Sequence, residues 1–430
     1  MNITLNEDQK KAKNAFIAFL LNPEQQEFVI EGFAGTGKTT LIKYMIGALD
    51  ALRKSTELLG QKIPEFEEIA VTATTRKAAT VLADSMNTDP LTIHSYLGLV
   101  LKNNYRTGEQ ELTLGRGAAP KENSLIIIDE ASFIDNELKE YIQDLTYGCK
   151  VVYMGDPCQL ISVNTDISPI FGQGIPTAKL RQIMRHDGPI SDISALYRNT
   201  VETKIFKPFV CDGTAVRHVN GPTFQSEIDA AFTSAQYKAD NSCKVLAWRN
   251  DRVSEYNEYI ADERGIHEPY PAGEYLITNK PIISAKQEVM YSTDKPVLIE
   301  RSTPSVLADV EGYDVTLSCG FTMFCPTERW KVKQLLRRMA KEKEWKSYFE
   351  IKDFWGDLRP AYASTVHKSQ GSTYEKVFID LTDLGYCQNP DDVARLLYVA
   401  VSRASKEVVM CGELPQRYLT GDFNEYPESA

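Results

Sequence analysis

Residues 32–39, Gly-Phe-Ala-Gly-Thr-Gly-Lys-Thr, constrain this chain more than any other segment. They match the phosphate-binding loop pattern of a glycine, four residues and then Gly-Lys-Thr. The apolar run 28–30 before them predicts a buried strand, and residues 40–49 after them predict a helix. In that setting, glycines let backbone N–H groups surround an anion, and the helix N-terminus adds positive charge. The segment therefore predicts a nucleotide phosphate site.

The side chains of this loop have distinct expected partners. Lys38 would reach the β- and γ-phosphates, and the Thr39 hydroxyl would bind a magnesium ion. The expected ligands are accordingly ATP and Mg²⁺. The predicted nucleotide-binding residues of the loop are Gly35, Thr36, Gly37, Lys38, Thr39 and Thr40.

Length and composition set outer limits on what the chain can be. A length of 430 residues corresponds to about three domains. With 43% hydrophobic and 25% charged residues, the composition is that of an ordinary globular protein. No apolar run is long enough to span a membrane, and the first residues are polar, so we expect a cytoplasmic protein without membrane partners. A net charge of −11 requires any nucleic-acid contact to depend on a local surface.

Two later apolar runs end in acidic residues. Residues 125–128 precede Asp129-Glu130, and residues 151–154 precede Gly155-Asp156. Such runs are typical of parallel strands buried on both faces, which present ligand-binding groups at their carboxyl ends. We expect Asp129 to hold the magnesium ion, Glu130 to polarise the attacking water and Gln159 to sense the γ-phosphate. The alternative for the acidic pair, a solvated surface turn, is disfavoured by its order and distance from the loop.

The remaining segments suggest a second α/β layer with an insertion. Residues 244–247, 377–380 and 408–410 predict buried strands, while residues 268–358 are rich in proline and short alternating runs. Within that insertion, residues 331–346 predict an amphipathic helix with seven lysines or arginines against two glutamates. Its apolar stripe favours a solvated basic face over a nucleic-acid surface. Residues 102–121 contain turn signals at 107–108 and 115–117 around the alternating run 111–114, and this pattern predicts a small β-hairpin.

Four segments carry a resemblance to superfamily 1 helicases. Residues 155–160 resemble the third motif of that superfamily, 180–185 the fourth, 363–371 the fifth and 397–404 the sixth. The whole layout resembles the phage Dda-type, RecD-like helicases of superfamily 1B. The resemblance covers nearly the full chain and is weak in the insertions.

The resemblance implies an α/β fold of two RecA-like P-loop NTPase domains. The first would have a small β-hairpin insertion, and the second a small SH3-like β insertion. The expected bounds are 1–175 for domain 1A, which contains hairpin 1B at 102–121; 176–267 with 359–430 for domain 2A; and 268–358 for domain 2B.

The resemblance also implies a function. An ATP-dependent DNA helicase would move 5′ to 3′ on single-stranded DNA while ATP hydrolysis drives closure of its two domains. Arg185 and Arg403 would act as arginine fingers from across the domain cleft, since guanidinium groups stabilise charge on the γ-phosphate. Gln9 would contact the adenine. Expected partners are single-stranded DNA, a DNA fork and replication or recombination proteins, in the host cytoplasm if the chain is phage-encoded.

Nucleic-acid contacts follow from the same motif positions. Single-strand tracks combine phosphate-binding polar groups with stacking platforms. Arg76 stands where the family often has histidine, and its guanidinium plane can also stack on a base. For each candidate taken singly, a core or capping role is the alternative. The candidates are Thr75, Arg76, His94, Asn250, Trp355, Thr365 and His367, with Tyr105 as the strand-separating wedge of a hairpin whose alternative is an ordinary exposed loop.

Other functions stay open at this point. An RNA helicase, or a translocase that strips proteins from a strand, would use the same motifs. A nucleotide-binding switch or scaffold without motor activity belongs to another class. It would not need two trans-acting arginines, so Arg185 and Arg403 favour a motor.

Overall fold

The computed structural model describes residues 4–160, 168–172, 174–184, 188–234, 237, 242–284 and 289–420. The chain divides into two compact units. The first comprises Met1–Val100 and Thr113–Lys204, and the second comprises Leu101–Leu112 and Ile205–Ala430.

The elements up to residue 204 are, in chain order, α1 (Glu7–Leu21), β1 (Glu27–Gly32), α2 (Lys38–Gly47), α3 (Leu49–Glu57), β2 (Glu68–Ala73), α4 (Arg76–Met86), α5 (Ile93–Leu97), β3 (Leu99–Asn103), β4 (Gln110–Leu114), β5 (Ser124–Asp129), α6 (Asn136–Leu145), β6 (Lys150–Gly155), β7 (Thr177–Leu180) and α7 (Pro189–Thr203). A short 3₁₀ turn, Ala131–Phe133, follows β5.

The first unit is built on a parallel sheet with the strand order β2-β5-β6-β1-β7. The strands predicted at 28–30, 125–128 and 151–154 are confirmed, and their central residues are fully buried. β7 pairs in parallel with β1, with Val29 opposite Thr177. β7 therefore belongs to the first unit, which continues to Lys204, beyond the expected domain end at residue 175.

Helix α1 packs on this sheet and aims Gln9 at the phosphate loop. Asn6 caps the helix: its side chain accepts from Gln9 N at 2.8 Å, and Gln9 Oε1 accepts from Asn6 N at 3.1 Å. Phe19 stacks on Phe28 with ring centroids 5.2 Å apart. The buried apolar residues of the helix are Ala12, Phe16, Phe19 and Leu20.

A buried cation holds the C-terminal end of α1. The Lys150 ammonium donates to the carbonyl oxygens of Phe19 at 3.1 Å and Asn22 at 2.6 Å, and it also bonds Gln25 O. Burial lowers the pKa of Lys150. A cation at this position complements the negative end of the helix dipole, so Lys150 joins the start of β6 to α1.

Replacing Lys150 with methionine should lower the free energy of unfolding by about 2 kcal/mol, because buried carbonyl groups lose their donor. Urea denaturation followed by circular dichroism measures this change. The exposed Lys54 offers a matched control, and Lys54→Met should shift stability by less than about 0.5 kcal/mol. A Lys150→Met protein with the parent's denaturation midpoint would contradict the anchoring role.

The elements after residue 204 are β8 (Val216–Val219), α8 (Gly221–Phe232), β9 (Cys243–Ala247), α9 (Asn250–Glu263), β10 (Tyr275–Thr278), β11 (Ile282–Ile283), β12 (Val289–Tyr291), β13 (Pro296–Leu307), β14 (Val310–Leu317), β15 (Thr322–Pro326), α10 (Arg329–Glu342), α11 (Trp345–Phe354), β16 (Leu358–Arg359), β17 (Ala363–Thr365), α12 (Val366–Ser369), β18 (Tyr374–Asp380), α13 (Leu381–Leu384), α14 (Pro390–Ser402), β19 (Ala404–Cys411) and α15 (Arg417–Thr420).

A second parallel sheet, ordered β17-β9-β18-β19-β8, forms the centre of this unit. It contains the three strands predicted at 244–247, 377–380 and 408–410. Two parallel five-stranded sheets are the architecture expected of paired RecA-like domains, and the predicted fold class is confirmed at that level.

The predicted insertion is an antiparallel sheet ordered β15-β14-β13-β10-β16, accompanied by the β11-β12 ribbon and the helices α10 and α11. The single helix predicted at 331–346 is two helices, because Lys343 adopts a left-handed conformation with φ of 59°. One hydrophobic cluster unites the sheet with both helices through Phe324, Leu335, Met339, Ile351 and Trp355.

Strands β3 and β4 form the predicted hairpin, although it spans 99–114 instead of 102–121. Its outer half, Leu101–Leu112, groups with the second unit because it contacts α11. Asn103 Nδ2 donates to Asp353 at 2.8 Å, and the rings of Tyr105 and Phe349 meet edge to face at 5.4 Å. These contacts hold the outer half of the hairpin against α11.

Across the described residues, no helix combines the length and the apolar character needed to cross a bilayer.

Candidate nucleotide site and nucleic-acid surface

The phosphate loop connects β1 to α2 through a tightly closed turn. Gly35 and Gly37 have φ of 81° and 79°, values that L side chains rarely adopt. The Thr36 hydroxyl donates to Phe33 O at 2.8 Å, and Met184 N donates to Gly35 O at 2.8 Å. Helix α2 begins at Lys38 without a side-chain cap, so the first backbone N–H groups of the helix are available to an anion.

Lys38 and Gln9 both lie against this loop. The Lys38 ammonium donates to Gly32 O at 2.6 Å and more weakly to Phe33 O at 3.3 Å. Gln9 Nε2 donates to Thr36 O at 3.3 Å, and a Cβ at Gly37 would lie 2.8 Å from that nitrogen. Gln9 is thus brought to the loop, as its position predicts, where its amide supports the loop backbone. Its contact with adenine stays a prediction.

The acidic pair at the end of β5 combines burial with backbone strain. Burial raises the pKa of Asp129, while the nearby charge of Lys38 opposes that rise. Glu130 follows with φ of 54° and ψ of 43°, a left-handed conformation that costs a non-glycine residue about 1 kcal/mol. Two bonds to the Glu130 carbonyl hold it there, from Thr74 Oγ1 at 2.9 Å and from Phe133 N at 3.1 Å. Such over-determined strain is typical of active sites.

Asp156, at the end of β6, joins the loop to the predicted phosphate sensor. Its Oδ2 accepts the Ala34 N–H at 3.1 Å, and Gln159 Nε2 lies 3.5 Å from the same oxygen. Its Oδ1 accepts the Cys158 N–H at 3.0 Å. The carboxylate is fully buried, so it positions both the loop and Gln159. In the sequence, Asp156 is visible only as part of the motif at 155–160, and its contacts depend on the folded structure.

Two further contacts near the phosphate loop were not predicted from the sequence. The Asp8 carboxylate accepts the N–H groups of Arg181 at 2.9 Å and Gln182 at 3.0 Å, which lowers its pKa. The Arg198 guanidinium of α7 lies 4.1 Å from the centroid of the Phe33 ring. No sequence motif indicates these roles for Asp8 and Arg198, because both contacts depend on the position of the chain after β7.

The two predicted arginine fingers differ in what the structure describes. Arg185 lies outside the described residues. Arg403 is buried at the end of α14, where its guanidinium donates to Val399 O at 3.2 Å, Ser372 O at 3.3 Å and Ser402 Oγ at 2.8 Å. These bonds hold the helix end to the turn before β18. A role of Arg403 at the γ-phosphate stays a prediction.

Several predicted DNA contacts have capping or exposed positions. Thr75 caps α4 and Thr365 caps α12, each through its hydroxyl. Arg76 is exposed immediately beyond Thr75, and Asn250 is exposed at the first position of α9. Because β17 pairs with β9, Thr365 and Asn250 lie at the carboxyl ends of neighbouring strands.

The remaining DNA candidates divide between surface and core. His367 is exposed, whereas His94 is half-buried and burial lowers its pKa, which favours the neutral imidazole at pH 7. Trp355 is only 8% exposed and packs edge-on against Phe324 at 4.7 Å. The structure therefore assigns Trp355 a core position in place of the predicted stacking platform, because the hydrophobic cluster under α10 and α11 covers its ring.

Replacing Asp156 with alanine should lower ATP turnover at least about tenfold, because Ala34 N–H loses its acceptor and Gln159 loses its anchor. Steady-state kinetics with varied ATP measure the effect. Asp144, on the exposed surface of α6, provides the control, and Asp144→Ala should match the parent. Circular dichroism must show that Asp156→Ala is folded. Parent-like turnover in a folded Asp156→Ala protein would remove Asp156 from the site.

Two sequence families match the chain. A family described as an AAA domain matches residues 4–204, and one described as a UvrD-like helicase C-terminal domain matches residues 360–411. The first match contains the phosphate loop and its sheet, and the second contains β17, β18, α14 and β19. The two matches and the two parallel sheets make the chain similar to P-loop NTPases of the helicase class.

Individual relatives are similar to the chain over nearly its full length. The chain is 26% identical to the ATP-dependent DNA helicase dda of Enterobacteria phage T4, over 94% of this chain and 98% of that protein. It is 23% identical to an uncharacterized protein of Acanthamoeba polyphaga mimivirus, over 94% and 99% of the two chains. A Pif1 helicase structure on unwinding at forked duplex DNA shares the fold with a TM-score of 0.51 and 17% identity, covering 99% of this chain and 95% of that one. The predicted resemblance to the Dda-type helicases is therefore confirmed as a similarity over nearly the full chain.

Proposed function

We propose that this protein is an ATP-dependent DNA helicase that moves 5′ to 3′ along single-stranded DNA. One observation carries the proposal: the phosphate loop, the pair Asp129-Glu130 and the buried Asp156-Gln159 pair converge at one carboxyl edge of a parallel sheet. The helicase family match over three strands of the second sheet and the similarity to a phage DNA helicase support DNA as the substrate. The direction follows from the family resemblance.

The residues at this edge suit a magnesium-bound nucleotide. Backbone N–H groups at the start of α2 and the Lys38 ammonium would hold phosphate oxygens, which would displace the carbonyl partners of Lys38. The Thr39 hydroxyl and the buried Asp129 carboxylate would hold Mg²⁺. When bound, that ion supplies positive charge beside the phosphate oxygens. The donor set fits the ion, because a threonine hydroxyl and an aspartate carboxylate supply the oxygen ligands that Mg²⁺ prefers.

Glu130 is the proposed general base. Its left-handed backbone turns the chain sharply after β5, and the Thr74 and Phe133 bonds keep that turn in one conformation. Gln159 would sense the γ-phosphate from its anchor on Asp156. Arg185 and Arg403 would stabilise charge on the transferred phosphoryl group, and we propose that this attraction couples hydrolysis to closure of the two RecA-like domains.

Lys38→Ala should abolish ATP hydrolysis, and Glu130→Gln should keep nucleotide binding but lose the chemical step. Phosphate release and fluorescent-nucleotide binding separate the two effects. Glu137→Gln, on the exposed face of α6, serves as the matched control for the carboxylate. Hydrolysis at the parent rate in Glu130→Gln would exclude Glu130 as the base.

Strand displacement on tailed duplexes tests both activity and direction. We expect unwinding of a duplex with a 5′ single-stranded tail and none with a 3′ tail. RNA duplexes and protein-blocked strands of the same length distinguish an RNA helicase or a protein-stripping translocase. ATPase activity that ignores added single-stranded DNA would exclude a motor.

The hairpin is the proposed strand separator. Gly108 sits at its tip with φ of 80°, and a Cβ there would lie 2.2 Å from the Trp345 ring. Tyr105 is 58% exposed although one edge of its ring meets Phe349. The Lys352 ammonium also donates to Gln110 Oε1 at 2.9 Å. These contacts would brace the tip against the force of opening base pairs.

Gly108→Val should therefore release the tip and lower the unwinding rate several-fold, while ATPase activity stimulated by single-stranded DNA stays at the parent level. A stopped-flow unwinding assay beside an ATPase assay measures the ratio. Gly117 provides a matched glycine, since nothing lies within 4 Å of a Cβ there, and Gly117→Ala should behave as the parent. Equal loss of both activities in Gly108→Val would argue against a strand-separating role.

A further inference from the structure

Helix α10 concentrates positive charge on a chain whose net charge is −11. At its N-terminal end the cations have acidic partners: Arg329 pairs with Asp357 at 3.6 Å, and Lys331 pairs with Glu328. Further along, exposed cations form no ion pair or side-chain hydrogen bond with the described part of the chain. These unpaired cations are Lys333, Arg337, Arg338, Lys341, Lys343 and Lys346.

Three of these cations form a row, which we name the α10 row: Lys333, Arg337 and Lys341. Spaced four residues apart, they follow one face of the helix for about 12 Å. Leu335 and Met339 are buried on the opposite side, in the cluster shared with α11. The row is therefore exposed because packing fixes the rotation of the helix.

Like charges four residues apart repel each other and weaken a helix. Among the described residues, no acidic side chain forms an ion pair with the row, although the chain has 59 acidic residues. A bound polyanion would offset it. The surface is a convex helix face, and Trp330 at its start is 55% exposed. A single-strand track instead needs a groove with successive stacking platforms, so the row fits the phosphate backbone of a duplex better.

Helix α11 connects the α10 row to the hairpin. α11 packs on α10 through Ile351, and the same helix holds the hairpin tip through Trp345 and Phe349. We propose that the α10 row binds the phosphate backbone of the duplex DNA that the hairpin separates. This inference rests on the proposed helicase function, since it is the hairpin that brings a duplex to this part of the second unit.

The test compares Lys333→Gln/Arg337→Gln/Lys341→Gln with the parent protein. Binding to a blunt, fluorescent DNA duplex is measured without ATP by anisotropy over a range of salt concentrations. Three lost phosphate contacts should weaken binding about tenfold and reduce the salt slope, log K against log salt, by about 2.7. Unwinding of a 5′-tailed fork should fall, while ATPase activity stimulated by single-stranded DNA stays unchanged.

Two control variants distinguish the effect of the positive charge of the row from the effects of side-chain shape and of position in the chain. Lys333→Arg/Arg337→Lys/Lys341→Arg keeps the charge and should keep duplex affinity. Lys54→Gln/Lys62→Gln/Lys207→Gln removes three exposed lysines elsewhere and should leave the salt slope as in the parent.

Parent-like duplex affinity and salt slope in the glutamine variant would overturn the inference. The inference would also be overturned if the glutamine variant lost affinity for polyglutamate but kept the parent's affinity for duplex DNA. That result would indicate a docking face for an acidic protein segment. Because duplex binding is measured without ATP, a parent protein that binds duplex through the row but unwinds nothing would refute the helicase proposal separately.

Discussion

The parallel pairing of β1, β5 and β6 is the constraint on which the candidate site depends. Parallel strands bring every loop that follows them to the same edge of the sheet. The phosphate loop follows β1, Asp129-Glu130 ends β5 and Asp156 follows β6, so residues more than 120 positions apart meet there. The 3.1 Å bond from Ala34 N to Asp156 Oδ2 is the direct result. Val152, Tyr153 and Met154 are fully buried, which prevents β6 from shifting its register without exposing apolar surface.

The candidate site departs from ordinary backbone and charge rules at two neighbouring residues. Glu130 adopts a left-handed conformation, and Asp129 buries a carboxyl group beside Lys38. The Thr74 hydroxyl that steadies Glu130 belongs to the turn after β2, next to the predicted DNA contact Thr75. One hydrogen bond thus connects the proposed base to the segment expected to touch DNA.

The sequence predicted features that depend on neighbouring residues better than features that depend on contacts between distant segments. Thr75 and Thr365 are helix caps, a role that the sequence had left as the alternative to DNA binding, because a threonine before a helix satisfies both patterns. Trp355 was expected on a nucleic-acid surface but lies in the core, since its neighbours Phe324 and Leu335 come from distant segments. Arg403 was expected at a phosphate, and its buried bonds to Val399 and Ser372 depend on how α14 packs.

The sequence by itself determined the phosphate loop, the strands that end in acids and the class of protein. These features are local: glycine conformations, continuous apolar runs and residue spacing act within one turn or strand. Only the tertiary structure decided that β7 joins the first sheet, that the outer hairpin packs on α11, and that Asp156 supports both the loop and Gln159. Each of these depends on which distant surfaces bury one another. Burial is a property of the assembled layers, and residue spacing alone does not encode it.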